Sequence, residues 1–446
     1  MKISTINNQI WKIMMIELLK EIILDFQNAP LDAGIKRHLN YELVRGKAFV
    51  CIGVRRCGKS TLLYQIIEDL KRNGIKTENI LYVNFFDDRL MDIKRGNLSL
   101  ITEAYYSLFP EKKGAETVYC FFDEIQEADN WEPFIDRILR TEKCEVFISG
   151  SSAKMLSKEL ASQMRGRSIA WELFPFSFKE FADFKKADYK TLTTKNRLVL
   201  KKCFDEFYQK GGFPEVRDVS DKLRIMIHQE YYKTILHRDV IERFNAIHPQ
   251  AVIQAGYRLI SSAGSLYSIN RVTSYLKSMG HKISKGFVSD CIDWFEDAYF
   301  LFSLKIFSES VAIQNVNAKK AYCIDHSMIN SVTSGISANS GHLLENIIFL
   351  HLRRKTERLY YYRTKSGAEV DFVCLDAQKK KLLVQVCPSL ADPLTRKREI
   401  TPLTRAMEDL GLTEGTIVTL DEDQQLENDG KKIRIIPAWK YLISNA

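Results

Sequence analysis

Gly53-Val54-Arg55-Arg56-Cys57-Gly58-Lys59-Ser60 decides the fold of this chain. The octet has the form GxxxxGK[ST]. A short apolar run, AFVCI at Ala48–Ile52, precedes it. Residues 61–71 follow, with Leu62, Leu63, Ile66, Ile67 and Leu70 at helical spacing. Strand, glycine-rich turn, helix is the context that gives the motif meaning. Gly53 and Gly58 let the backbone wrap a phosphate, because no Cβ blocks the approach. The N–H groups of the loop and helix start, from Val54 through Arg55, Arg56 and Cys57 to Thr61, then face the anion. Lys59 is expected to face solvent in the empty loop and to reach the β- and γ-phosphates, and Ser60 to offer its hydroxyl to Mg²⁺.

Further strand-like runs extend the pattern at residues 80–85 (ILYVNF), 118–122 and 145–148. Strands alternating with helices predict an α/β fold, a P-loop NTPase parallel sheet. Asp123 and Glu124 end the third run, at the strand edge where open α/β sheets bind ligands. Asp123 is the candidate for Mg²⁺ and Glu124 for the general base that polarises the attacking water. ATP and Mg²⁺ are the cofactors this set implies. Ser149 and Ser151 close the fourth strand, where a small polar residue can sense the γ-phosphate. Arg165 and Arg167, in MRGRS, are candidate arginine fingers, in cis or across a subunit interface.

The 446 residues are 45% hydrophobic, enough for two to four domains. A formal charge of +9 permits phosphate-rich partners without demanding them. Nine cysteines without a CxxC pair argue against a disulfide framework and against a zinc site, and point to a cytoplasmic location. No signal peptide is legible. Residues 10–26 carry Ile10, Ile13, Met14, Leu18 and Ile22 at helical spacing among charges of both signs. That predicts a packed amphipathic helix and no membrane span.

The ordered set GVRRCGKSTLL, VNFFDDRL, FFDEIQEADNWE, ISGSSAKML, MRGRSIAWELFPFSFKEF, FYQKGGFPEV and YYKTILHRDVIERF resembles the prokaryotic AAA-type ATPases. More narrowly, it resembles those that end in a degenerate nuclease-like domain of unknown function. The resemblance covers nearly everything beyond the first stretch of the chain. It implies ATP and Mg²⁺ contacts at Gly53, Gly58, Lys59, Ser60, Asp123 and Glu124, in agreement with the residues read above. One position departs from the family pattern: Phe86 stands in NFFDD where an acid is more usual, leaving Asp87 as the acid that could take its place.

The sequence predicts an N-terminal helical segment (1–40), the ATPase core (41–170), a helical lid (171–250), a winged-helix-like region (251–312) and a nuclease-like domain (313–446). The second helix of the winged-helix-like region, 285–295, is poor in basic residues, which favours a structural or protein-contact role over DNA reading. In the last domain, Glu345 on a helix, Asp371 on a strand and Leu383-Val384-Gln385-Val386-Cys387 on the next outline a PD-(D/E)XK centre. Gln385 and Cys387 stand where an acid and a lysine are required, so the fold is retained and the cleavage chemistry lost. Lys379, Lys380 and Lys381 precede that strand on its solvent side. Residues 421–432 read as an exposed loop. The expected function is an ATP-hydrolysing switch or remodelling ATPase with a noncatalytic C-terminal module. The expected partners are an unidentified protein, a second copy of the chain, and nucleic acid held weakly and nonspecifically. An ATP-regulated DNA-binding or DNA-cleaving effector and a nucleotide-gated scaffold are the alternatives.

Overall fold

β1 (Ala48–Ile52) is buried at every position because it lies inside a sheet and is covered on both faces. The computed structural model describes residues 2–151, 164, 166–333, 340–428 and 430–444. These fall into two compact units, 1–173 and 174–446. In the first, β1 joins β2 (Ile80–Asn84), β3 (Val118–Asp123), β4 (Cys144–Gly150) and β5 (Ser168–Glu172) in the order β2-β3-β4-β1-β5. Every pairing is parallel. Strands buried on both faces read as continuous apolar runs, which is why AFVCI, ILYV and VYCFF were recognisable. The α/β P-loop class predicted from the sequence is the class observed. Helix Lys59–Arg72 buries Leu62, Leu63, Ile66 and Ile67. Across the sheet, the Phe121 and Phe147 rings stack at 4.5 Å.

The N-terminal helix, Lys2–Asn28, forms as expected but buries only the C-terminal part of the expected face, at Ile22 and in part Leu18. Ile10, Ile13 and Met14 are exposed, whereas Leu19, Ile22 and Ile23 are buried. The helix has two apolar stripes, and the one containing Phe26 wins. The Phe26 ring stacks on Tyr82 of β2 at 4.1 Å, and Gln27 Nε2 donates to the Ile80 carbonyl at 2.9 Å.

In the second unit, β6 (Leu266–Tyr267), β7 (Leu301–Leu304) and β8 (Lys319–Cys323) make an antiparallel sheet ordered β6-β8-β7. Helices Pro249–Ile260, Ile269–Ser278 and Lys285–Asp297 accompany it. The closing strand, β8, lies beyond residue 312. A six-stranded sheet follows, made of β9 (Leu359–Arg363), β10 (Glu369–Leu375), β11 (Lys381–Val386), β12 (Glu414–Thr419), β13 (Gln424–Asn428) and β14 (Lys431–Pro437). Its order is β13-β14-β12-β11-β10-β9. Val373, Leu383, Leu403, Met407, Ile417 and Ile435 form its core, with helix Pro393–Asp409 as the covering layer. Residues 421–432 are therefore not simply a loop: β13 pairs antiparallel with β14. Their polarity misled because β13 is an edge strand, and its ladder bonds run through the backbone whatever the side chains.

The Gly211-Gly212 pair also finds its reason here. Gly211 has φ +84°, and a Cβ there would stand 2.4 Å from Asp325 Oδ1. The Asp325 carboxylate accepts from the Gly212 N–H at 2.6 Å and caps helix His326–Val332 through the Ser327 and Met328 N–H groups. Among the described residues, no helix is long and apolar enough to cross a membrane.

Two outcomes are expected. Leu19→Ala should destabilise the chain by about 2–5 kcal/mol, and Ile13→Ala by less than about 0.5 kcal/mol. Urea unfolding of the two variants compares the faces directly; equal losses would contradict the assignment. The second concerns His228, fully buried with Nδ1 3.0 Å from Ser331 Oγ. Burial pushes its pKa down to about 4, with Asp325 opposing in part. A depressed imidazole pKa means that the unfolded chain binds the proton first. The contribution is therefore present above the ordinary value and is lost as pH falls from about 6.5 toward 4. Burial shifts His326 and His351 the same way, so the diagnostic is a shallower pH slope of the urea midpoint in His228→Phe than in wild type.

Candidate nucleotide site

The loop after β1 is shaped by close approach. A Cβ on Gly53 would stand 2.1 Å from the Leu173 carbonyl oxygen, so only glycine fits while the Leu173 N–H bonds Ile52 O at 2.7 Å. Gly58 sits at φ +100°, immediately before the helix. The first helical bond there runs from the Leu62 N–H to Gly58 O at 3.0 Å. The N–H groups of Lys59, Ser60 and Thr61 thus precede the intrahelical ladder, as in any helix start. Val54 and Cys57 are buried beneath the loop, Arg56 is exposed at φ +63°, and burial keeps the Cys57 thiol pKa raised.

Lys59 does not face solvent. It is 3% exposed, and its Nζ donates to Gly53 O and Val54 O, each at 3.1 Å, with Glu124 Oε1 3.8 Å away. Burial alone would lower its pKa; the fields of Cys57, Glu124, Cys51 and Asp123 outweigh that and raise it, so the group is a buried ammonium. The loop curls its carbonyls onto the charge, a contact that a side-chain pattern does not reveal.

Asp123, fully buried, accepts from Tyr82 Oη at 2.7 Å on one oxygen and from Ser149 Oγ on the other. Ser149 Oγ also accepts from the Glu124 N–H at 3.0 Å. One serine therefore fixes both acids. Glu124 adopts φ +52°, and its Oε2 accepts from Gln126 Nε2 at 2.6 Å; the same Nε2 lies 3.5 Å from Ser151 Oγ.

Three residues absent from the sequence reading belong to this neighbourhood. Tyr82 shares the strand that pairs with β3, and Gln126 lies in the DEIQ stretch. Arg37 comes from an irregular segment ahead of β1. Its Nη1 donates to the Cys57 carbonyl at 2.6 Å, and its N–H to Gln65 Oε1 at 2.9 Å. Gln65 returns bonds to Ala33 O and Ile35 O at 2.6 and 2.7 Å, strapping this segment to the helix behind the loop. Only DEIQ was available as a local signal; the other two contacts are long-range.

Asp87 does not substitute for the acid missing at position 86. Its carboxylate is taken by the Arg89 guanidinium, with Nη2 at 2.8 Å, and that bond lowers its pKa. Phe86 instead lies 5.8 Å from the Arg55 guanidinium in a cation–π contact. Arg167 Nη1 donates to Asp136 Oδ1 at 2.9 Å, so it is engaged within its own unit. Arg165 lies outside the described residues.

The cradle fits a phosphate group: two glycines where a Cβ would intrude or strain, N–H groups at a helix start, and an ammonium at its floor. Residues 45–182 match the family described as an AAA domain; 201–340 and 340–441 match two domains of unknown function, DUF8612 and DUF4143. An uncharacterized protein of Methanocaldococcus jannaschii is 34% identical over 440 residues, covering 96% of this chain and 95% of that protein. An uncharacterized protein of Haemophilus influenzae is 29% identical over 341 residues, 76% of this chain and 81% of that one. A Walker-type ATPase of Pyrococcus abyssi aligns over 64% of this chain and 90% of its own at 14% identity, with a TM-score of 0.38, too low to carry an argument.

Fold and sequence together define an AAA-type P-loop ATPase domain. The chain belongs to the family of AAA-domain proteins that end in the DUF4143 domain, with the Methanocaldococcus jannaschii protein as a relative along almost its whole length.

Tyr82→Phe removes a donor from a carboxylate with no solvent to replace it. It should cost about 1–3 kcal/mol of stability, and Tyr64→Phe, whose hydroxyl only meets Tyr82 Oη at 3.3 Å, should cost less. Denaturant titration of both variants checks the order; a neutral Tyr82→Phe would mean that Asp123 does not depend on this bond.

Proposed function

We propose that the chain binds ATP with Mg²⁺ between the 53–61 loop and the Asp123-Glu124 edge and hydrolyses it. The observation that carries this reading is the buried Lys59 ammonium, held by loop carbonyls beside two acids at the C-terminal edge of a parallel sheet. Lys59 would exchange those carbonyls for the β- and γ-phosphates. The N–H groups of residues 58–61 would hold the phosphate oxygens. Ser60 and Asp123 would hold the cation. Each Asp123 oxygen keeps a lone pair beyond its bond to Tyr82 or Ser149. Mg²⁺ would supply charge neutralisation at the phosphates. Glu124 would take the proton of the attacking water, with Gln126 setting the orientation of its carboxylate. Ser149 would transmit any change at Asp123 to the Glu124 backbone, which is how it would serve as a phosphate sensor. A partner's arginine or Arg165 suits the finger role better than Arg167, whose charge is already paired with Asp136.

We read Pro249–Cys323 as a winged helix and 340–441 as a noncatalytic nuclease-like module. Trp294 on the second helix stacks on Phe244 at 5.3 Å, and Phe287 meets His248 edge-on at 5.4 Å, so its aromatic side is covered from within the chain. That supports a structural or protein-contact role and leaves nucleic acid as a weak, salt-sensitive partner. Gln385 donates to Glu399 Oε2 and accepts from the Asp371 N–H, and the Cys387 thiol is buried and donates to Ser389 O. Neither offers a metal-binding acid or a lysine. ATP turnover would then act on a protein partner or a second copy through movement of these modules.

Phosphate release and fluorescent-nucleotide binding test the reading. Lys59→Ala should lose tight ATP binding, with circular dichroism confirming the fold, since the residue is buried. Glu124→Gln should keep Mg²⁺-ATP binding and slow turnover by about 10²–10⁴-fold. Unchanged affinity in the first would remove the loop from the site, and wild-type turnover in the second would place the base elsewhere.

A further inference from the structure

Three carboxylates of the second unit close on one point, and an ammonium already stands there. Lys320 Nζ lies 2.8 Å from Glu345 Oε1, 2.9 Å from Glu369 Oε1 and 2.9 Å from Asp371 Oδ1. The ammonium donates hydrogen bonds to Glu345 and Asp371, and Glu369 completes the set as an ion pair. The Lys320 side chain is 3% exposed, Glu345 9% and Asp371 11%, while Glu369 at 30% forms the open side. Tyr322 Oη adds a bond to Glu345 Oε1 at 2.6 Å. Strand periodicity puts Lys320 and Tyr322 on one face of β8. That face docks on helix Ser340–Arg353: the Tyr322 ring stacks on Phe349 at 4.1 Å, and the Asn346 amide bonds both the N–H and the carbonyl of Cys323.

Two of these acids, Glu345 and Asp371, are the ones whose placement outlines a metal-dependent nuclease centre. In such a centre the acids gather a divalent cation. Here the lysine comes from β8, before the helix that carries Glu345. Its Nζ makes direct contact with the oxygens that would ligate a cation. Oxygen ligands surround Mg²⁺ or Ca²⁺ at about 2.0–2.6 Å, so an ion at the Nζ position would draw each carboxylate in by about 0.2–0.9 Å, least for the larger ion. Among the described residues, no group of three or more His, Cys, Asp or Glu side chains is arranged to hold a metal as it stands.

We propose that Lys320 is a built-in cation that takes the place of a divalent metal, closing the centre to metal and fastening β8 to helix Ser340–Arg353 and β10. The sign of the charge supports it, one ammonium among three carboxylates. Removing Lys320 would leave buried carboxylates uncompensated, the condition that strongly destabilises a broken buried pair. The same oxygens would then take up a divalent ion.

Mn²⁺ alone, with nucleotide-free full-length protein, is the probe; no readout depends on ATP turnover. Wild type should show no Mn²⁺ binding by paramagnetic resonance that disappears in Asp371→Asn, and no Mn²⁺-dependent rise in melting temperature. Lys320→Met should melt lower by on the order of 5–10 °C. Mn²⁺ should restore a good part of that, and the restoration should vanish in the Lys320→Met, Asp371→Asn double variant. If Lys320→Met does not fold alone, refolding in Mn²⁺ should recover it. Four results would each overturn the proposal: Asp371-dependent Mn²⁺ binding by wild type, an unshifted melt in Lys320→Met, a lowered melt that Mn²⁺ does not raise, or failure to refold with Mn²⁺ present.

Discussion

A buried ammonium must be surrounded by acceptors, and the first unit is arranged around that requirement at Lys59. The loop carbonyls of Gly53 and Val54 turn inward to receive it, and Glu124 stands close enough to favour its charge. Gly53 must be glycine because this path brings it against the Leu173 carbonyl. The loop can take that path only if β1 lies beside β5 and one strand away from β3, which the order β2-β3-β4-β1-β5 provides. Such an arrangement stores acceptors that are replaceable. Phosphate oxygens offer an ammonium stronger, charge-assisted bonds than carbonyls do, so under the proposed function Lys59 would exchange these acceptors when ligand binds.

The same requirement is met differently at Lys320 in the second unit. There the acceptors are carboxylates from β10 and from helix Ser340–Arg353, and nothing in the arrangement is set up for exchange. The first lysine donates its hydrogen bonds to neutral carbonyls with one carboxylate nearby; the second donates to carboxylates.

Much of this was legible in the sequence where local pattern decides the outcome. Parallel strands covered on both faces betray themselves as unbroken apolar runs, and GVRRCGKS is defined by adjacent residues. What could not be read depends on contacts between distant segments. The N-terminal helix offers two apolar stripes, and only the Phe26–Tyr82 stack chooses between them. Arg37 reaches the P-loop from ahead of β1. Lys320 meets Glu345, Glu369 and Asp371 because β8 is docked on another element, a contact between segments distant in sequence. The edge strand β13 was hidden by its polarity. Asp87 is not available as an acid because Arg89, two residues away, occupies it.

Hydrogen–deuterium exchange of the full chain with and without Mg²⁺-ATP bears most directly on the central claim, because it locates the ligand without relying on a variant. ATP should slow exchange in peptides spanning residues 53–61 and 123–126, with smaller change in the β9–β14 sheet. Protection confined to other segments, with 53–61 unaltered at saturating nucleotide, would contradict the assignment of the site.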